Sequence, residues 1–159
     1  MNYGKRRMLL TSTILLLAVV CSGCSFHISF KLKNLSGKTI AVNYTVKNIQ
    51  DGFAPSLLKK TETDGAQSVP IPDDRIRLDI ENGSVEFTMF ADEIVELDHT
   101  IDLRESEYEQ AFNLKSLRIA ADDGAISLEG LEAFKSFRPI RKRWYTFGPE
   151  IVGFEFEYR

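Results

Sequence analysis

The sequence predicts an all-β domain: an antiparallel β-sandwich of about seven to eight strands with one or two short helices. Three observations predict it. Apolar and polar residues alternate with a period of two in run after run, the mark of a strand with one buried face. Turn chemistry separates the runs, most clearly at Asn82-Gly83 and at Asp122-Asp123-Gly124. Helical spacing of apolar residues is confined to two short stretches. A small closed β-barrel fits the same pattern and is the alternative, because alternation does not say whether the outermost strands meet.

The elements follow in order. Phe26, Ile28, Phe30 and Leu32 alternate with polar residues, and Ile40, Val42, Tyr44 and Val46 do the same after a turn over Asn34 to Lys38. These two runs read as a hairpin. A long connection then runs from Asn48 to Asp74 and holds Gly52, Pro55, Gly65, Pro70 and Pro72. It reads equally as a binding segment or as a crossing between sheets with a helical turn around Pro55 to Lys60. Ile76, Leu78 and Ile80 lead into Asn82-Gly83, and Val85, Phe87 and Met89 lead out. A two-residue type I′ turn there pairs Ile80 with Val85, Leu78 with Phe87 and Ile76 with Met89.

Val95, Leu97, His99, Ile101 and Leu103 form the next apolar side, with Glu96, Asp98, Thr100 and Asp102 opposite. Leu117 to Ala121 and Ala125 to Leu128 form a further pair, and Val152, Phe154, Phe156 and Tyr158 a terminal strand. The helical stretches are Glu105 to Phe112 and Glu129 to Phe137.

The N-terminus reads differently from everything after it. Lys5, Arg6 and Arg7 precede a mostly apolar run from Met8 to Val20, followed by Cys21-Ser22-Gly23-Cys24-Ser25. This is the layout of a secretory signal. As a helix the run spans about 20 Å, short of the ~30 Å hydrocarbon core. Ser22, Gly23 and Cys24 resemble the lipobox of bacterial lipoproteins, with Cys21 standing where that family usually has leucine. The resemblance covers the first 25 residues. It implies that residues 1–23 are a cleaved signal peptide, that Cys24 is acylated, and that 24–159 are exported as one envelope domain. Ser25 after the cysteine implies, for a Gram-negative source, the periplasmic face of the outer membrane. Beyond Cys24 there is no cysteine, so the exported domain stands without an internal disulfide.

Removing residues 1–23 takes away three basic residues and no acidic one, which moves the formal charge from −3 to −6. An acidic domain argues against nucleic acid as a partner, since phosphate neutralisation needs clustered Lys and Arg.

Several motifs tempt and fail. Ser36-Gly37-Lys38-Thr39 ends like a P-loop, but Leu32 stands where the first glycine is needed and a strand, not a helix, follows. Asn34, Asn43 and Asn82 open formal glycosylation sequons, which carry no such meaning in a bacterial lipoprotein. His27 and His99 lack a second histidine at ligand spacing, and in strict alternation Asp98 and Asp102 face away from His99. Asp73-Asp74 and Asp122-Asp123-Gly124 are too sparse for a calcium loop and serve as turns. The sequence calls for no cofactor and no metal.

One segment contrasts with the acidic whole: Arg138, Arg141, Lys142 and Arg143 beside Trp144 and Tyr145. It reads as a solvated loop whose charges balance nearby carboxylates, or as an interaction patch for anionic lipid or a protein partner. The function expected is therefore non-catalytic: a membrane-anchored lipoprotein that binds a protein partner in the cell envelope as an accessory or assembly subunit. The alternative is a small-ligand or glycan-binding lipoprotein using Trp144, Tyr145 or Phe53. A hydrolase comes third, for want of a nucleophile, base or metal set.

Overall fold

A computed structural model of the chain describes residues 27–49, 54–60, 66–101, 105–144 and 148–159. They form two sheets packed face to face. Eleven strands contribute: β1 (His27–Asn34), β2 (Ile40–Val46), β3 (Ser56–Lys60), β4 (Ala66–Pro70), β5 (Ile76–Asp79), β6 (Ser84–Met89), β7 (Ile94–Ile101), β8 (Leu114–Ala121), β9 (Gly124–Glu129), β10 (Arg138–Trp144) and β11 (Gly148–Tyr158). One sheet runs β10-β11-β1-β7-β3-β4 and the other β5-β6-β2-β8-β9. Both sheets have open edges, so the fold is the sandwich and not the barrel.

Burial follows the alternation. Ile28, Phe30 and Leu32 of β1 face Val42, Tyr44, Val85, Phe87, Leu117 and Ile119 of the other sheet in one hydrophobic cluster. Two short helices, α1 (Tyr108–Ala111) and α2 (Gly130–Ser136), lie close to the two helical stretches expected. They bring Tyr108 and Ala133 into the core, with Phe112 and Phe137 just beyond their ends. Phe30 lies edge-on to Phe112 at 4.9 Å between ring centroids and stacks on Phe154 at 5.1 Å. Phe112 also meets Phe134 and Phe137 edge-on, both at 5.4 Å.

Three expectations need correction. β1 and β2 do not form a hairpin; they lie in different sheets, and β1 pairs with β11 in parallel and with β7 antiparallel. Both strands carry a heavy apolar face, and each covers more apolar surface facing the other across the sandwich than lying beside it. Asn34 makes the crossing. Its side chain is fully buried, its Nδ2 donates to the carbonyls of Lys38 (2.7 Å), Phe90 (3.0 Å) and Met89 (3.4 Å), and its Oδ1 accepts from the Ser36 N–H and hydroxyl.

The second correction is one of register. Ile76 pairs with Phe87 and Leu78 with Val85, two residues away from the expected alignment. A type I′ turn needs positive φ at both central residues, but here Gly83 takes φ +60° while Asn82 does not. The Asp79 carboxylate accepts from the Asn82 backbone N–H and side-chain amide instead, closing a longer turn over residues 80–83. A two-residue slip keeps every side chain on its face, which is why the apolar pattern still matched.

Third, the segment around Pro55 to Lys60 is not helical: β3 and β4 form a hairpin inside the long connection. Leu57 is buried, with Val69 half-buried opposite, too little alternation for the pattern to announce itself.

The two ends of the sandwich are distinct. The distal end is where β1 finishes at Asn34, beside Ile40, Met89 and Phe90. The proximal end is where β1 begins at His27, opposite Ile101, and where Val46, Ser84 and Leu114 lie in the other sheet.

Candidate functional site

The basic segment is not a loop. Residues 138–144 form β10, an edge strand antiparallel to β11, which puts Arg138 opposite Glu155 and Lys142 opposite Glu150 in the register. Arg138 and Arg141 are exposed. Arg143 and Trp144 occupy register positions opposite Pro149 and Gly148 at the proximal end of the strand. Tyr145, Cys24 and Phe53 lie outside the described residues. The strand also carries Pro139 and a register shift between Ile140 and Arg141. Proline, cations and a bulge are devices that stop a sheet edge from pairing with another chain.

That observation makes the other edges informative. β5 is four residues long with Arg77 at its centre, and β4 ends in Pro70. β9 differs from these and from β10. Its six residues, Gly-Ala-Ile-Ser-Leu-Glu, contain no proline and no cation, and its register with β8 is unbroken from Ser116↔Glu129 to Ala121↔Gly124. Ile126 pairs in the register with buried Ile119 yet is 41% exposed. β9 is thus a regular, unblunted edge with an uncovered apolar side chain, the geometry that accepts an added strand.

A second site arises from an irregularity in β7. His27 to Phe30 pair with Ile101 to Asp98, but Lys31 pairs with Glu96, so one extra residue sits in β7 at Leu97. A bulge reverses the alternation beyond it. Val95 and Leu97 are both buried, and Asp98 and Thr100 then fall opposite Phe30 and Ile28 on the inner face. His99 turns outward and is mostly exposed, 3.8 Å from Glu96. The expected grouping of His99 with Val95 and Leu97 is therefore reversed.

Asp98, His99 and Thr100 line a cavity of about 350 Å³ at the proximal end, together with Lys47, Asn48, Gln110, Ala111 and Asn113. The walls are held from the other sheet. Asn113 accepts from the Asn48 N–H and donates to its carbonyl, both at 2.9 Å, and the Lys47 ammonium donates to the Phe112 carbonyl at 2.8 Å. Burial pushes the Asp98 carboxyl above its ordinary value and Glu96 adds to this; the N–H groups of His99 and Asn113 and the His99 ring oppose it. Burial likewise raises the Tyr44 phenol, whose hydroxyl reaches the Leu97 carbonyl at 3.4 Å.

Among the described residues no group of three or more His, Cys, Asp or Glu side chains is placed to hold a metal ion, and no helix is long and apolar enough to cross a membrane. No family model matches the chain, and comparison with curated proteins and with solved structures finds no significant similarity. The sequence reading missed the inward turn of Asp98, because nothing in Leu97-Asp98-His99 signals a bulge. It also missed the β9 edge, although a short run without a cation or a proline, followed further on by a basic one, carried that contrast in its composition.

Proposed function

We propose that this chain is a non-catalytic lipoprotein of the bacterial envelope, anchored through acylation of Cys24, that holds a protein partner as an accessory or assembly subunit. One observation carries the reading. β1, the strand that begins three residues after Cys24, is hydrogen-bonded on both sides in the interior of the six-stranded sheet. An anchor there pulls on the core of the fold and not on a flexible tether, which suits a scaffold held close to its membrane. The partner-binding half of the reading draws support from β9, where a partner strand gains backbone hydrogen bonds and covers Ile126.

Two measurements test it. Radiolabelled palmitate should enter the wild-type chain and not the Cys24→Ser variant. A photo-crosslinking residue at Ser127 of β9 should return a reproducible envelope protein, more strongly than the same residue at Arg77 of β5. Absence of label removes the anchor, and equal or absent adducts remove the β9 edge as the contact. The second reading, a small-ligand-binding lipoprotein, is favoured by the polar cavity around Asp98; a ligand there should raise the melting temperature in a thermal-shift screen.

A further inference from the structure

We infer that the proximal end of the sandwich lies against the bilayer surface, with Ile49 and Ile80 entering the boundary between headgroups and acyl chains. The inference rests on acylation at Cys24 and gives the anchored domain an orientation and a second, non-covalent membrane contact.

Chain length sets the first constraint. Three peptide units separate Cys24 from His27, a reach of about 11 Å at most. The eight residues of β1 rise about 26 Å. A lipid on Cys24 therefore keeps the proximal end near the headgroups and the distal end away from them.

Exposed apolar side chains are distributed to match. Ile80 is 69% exposed and Ile49 48% exposed, both among the largest apolar side chains left open to solvent. They flank the same residue: the Gly83 N–H donates to the Ile80 carbonyl, and a Cβ on Gly83 would lie 3.3 Å from Ile49 Cγ1. The Gly83 carbonyl accepts from the Val46 N–H, which fixes this pair to the proximal end of the five-stranded sheet. At the distal end the exposed large apolar side chain among the described residues is Phe90, and the Arg75 guanidinium covers its ring at 4.0 Å. Among the described residues, the uncovered aliphatic groups at the tip of a turn are at the proximal end.

Charge points the same way. Ser29 of β1 pairs with Gly153 of β11, so Gly148 lies beyond the first described residue of β1. β10 runs antiparallel to β11 and carries Arg141, Lys142, Arg143 and Trp144 toward that level. A basic strand end and exposed isoleucines at the same end of a fold, here on different sheets, together suit an anionic lipid surface, apolar groups inserting while cations meet headgroups.

The test uses the full lipoprotein reconstituted into vesicles of phosphatidylethanolamine and phosphatidylglycerol. A polarity-sensitive fluorophore is placed at Ile80→Cys or, at the distal tip, at Asp123→Cys. Both positions are exposed, so each variant should fold, and circular dichroism checks it. The expected result is a blue-shifted Ile80 probe quenched by lipid-borne quencher and shielded from aqueous iodide, with the Asp123 probe showing the reverse. In the otherwise identical Cys24→Ser chain, Ile80→Asp should weaken binding to the same vesicles about tenfold. Palmitate on Cys24 with iodide reaching both probes equally overturns the orientation and leaves the anchor standing. Absence of palmitate overturns the anchor, and the orientation with it.

Discussion

The distal end of the sandwich is closed by polar side chains bound to backbone, whereas the proximal end carries a polar cavity and uncovered isoleucines. At the distal end Asn34 joins the end of β1 to the carbonyls of Lys38, Met89 and Phe90. Beside it the Arg75 guanidinium donates to the Thr88 carbonyl at 2.7 Å and to Glu93, whose carboxylate also accepts the Phe90 N–H. Polar groups that bridge separate strands in this way fix one geometry, because leaving any of them unpaired is costly. The proximal end departs from the simplest rules of a soluble sandwich in two places, at Asp98 and at Ile80. Such departures concentrate at functional surfaces, held in place by stability supplied elsewhere. Asn113 pins the proximal end to the Asn48 backbone as well, so the ends differ less in bracing than in what the proximal one leaves open, a polar cavity and exposed isoleucines.

The largest expected effect lies at the distal brace. Asn34→Ala removes a fully buried amide and strips three carbonyls of a donor. The loss should be about 3–4 kcal/mol, since an unsatisfied buried group costs about 1–3 kcal/mol and relaxation recovers part of it. Urea denaturation measures it. A loss below about 1 kcal/mol, the worth of one ordinary hydrogen bond, would mean the distal end is no brace and would erase the contrast.

Glu93→Gln should cost less, about 1–2 kcal/mol, as the ion pair with Arg75 becomes a hydrogen bond from a cation to a neutral amide and the Arg75 charge loses its counter-charge. Its pH dependence sharpens the comparison. Burial pushes the Glu93 carboxyl up, but the Arg75 guanidinium and the Phe90 N–H outweigh this and hold it below the ordinary value. A carboxylate with a depressed folded-state pKa contributes stability that is present above its unfolded value, about 4.3, and lost as pH falls through the folded value. Wild type should therefore lose more stability than Glu93→Gln between pH 5 and pH 3. Parallel curves would show the pair to be electrostatically idle.

These positions also show what could be read from the chain. The strands whose apolar residues alternate over three or more positions were legible, because a half-buried sheet imposes that period directly. β3, β4 and β10 were not: Leu57, Val69 and Ile140 each stand nearly alone, and these strands are held by their neighbours' hydrogen bonds more than by burial. The crossing at Asn34 was hidden because an asparagine at a turn is common, and only its three-dimensional neighbours make it a buried pin. The basic segment was legible as composition, but its place on a blunted edge came from pairing with β11. The reversal at Asp98 had no local signature, since it depends on which residue of β7 is left over when β1 and β7 align.

Asp98 supplies the smallest predicted effect and the one of opposite sign. The folded chain holds its proton more tightly than the unfolded chain does, because burial disfavours the charged form. Its contribution therefore favours folding at low pH and declines as pH rises from the unfolded value, about 3.9, through the raised folded one. Above that range the buried charge is a standing cost. Asp98→Asn keeps an oxygen for the His99 N–H, 2.8 Å away in wild type, and removes the charge. The variant should be more stable than wild type at pH 7, by less than the Glu93 effect, and the gap should close near pH 3. Thermal melts at the two pH values measure it. A gain at pH 7 would mark Asp98 as a group placed for the cavity at the fold's expense, the mirror image of Glu93. No gain would mean that the cavity walls already satisfy the carboxylate, and the two ends would differ in their exposed isoleucines alone.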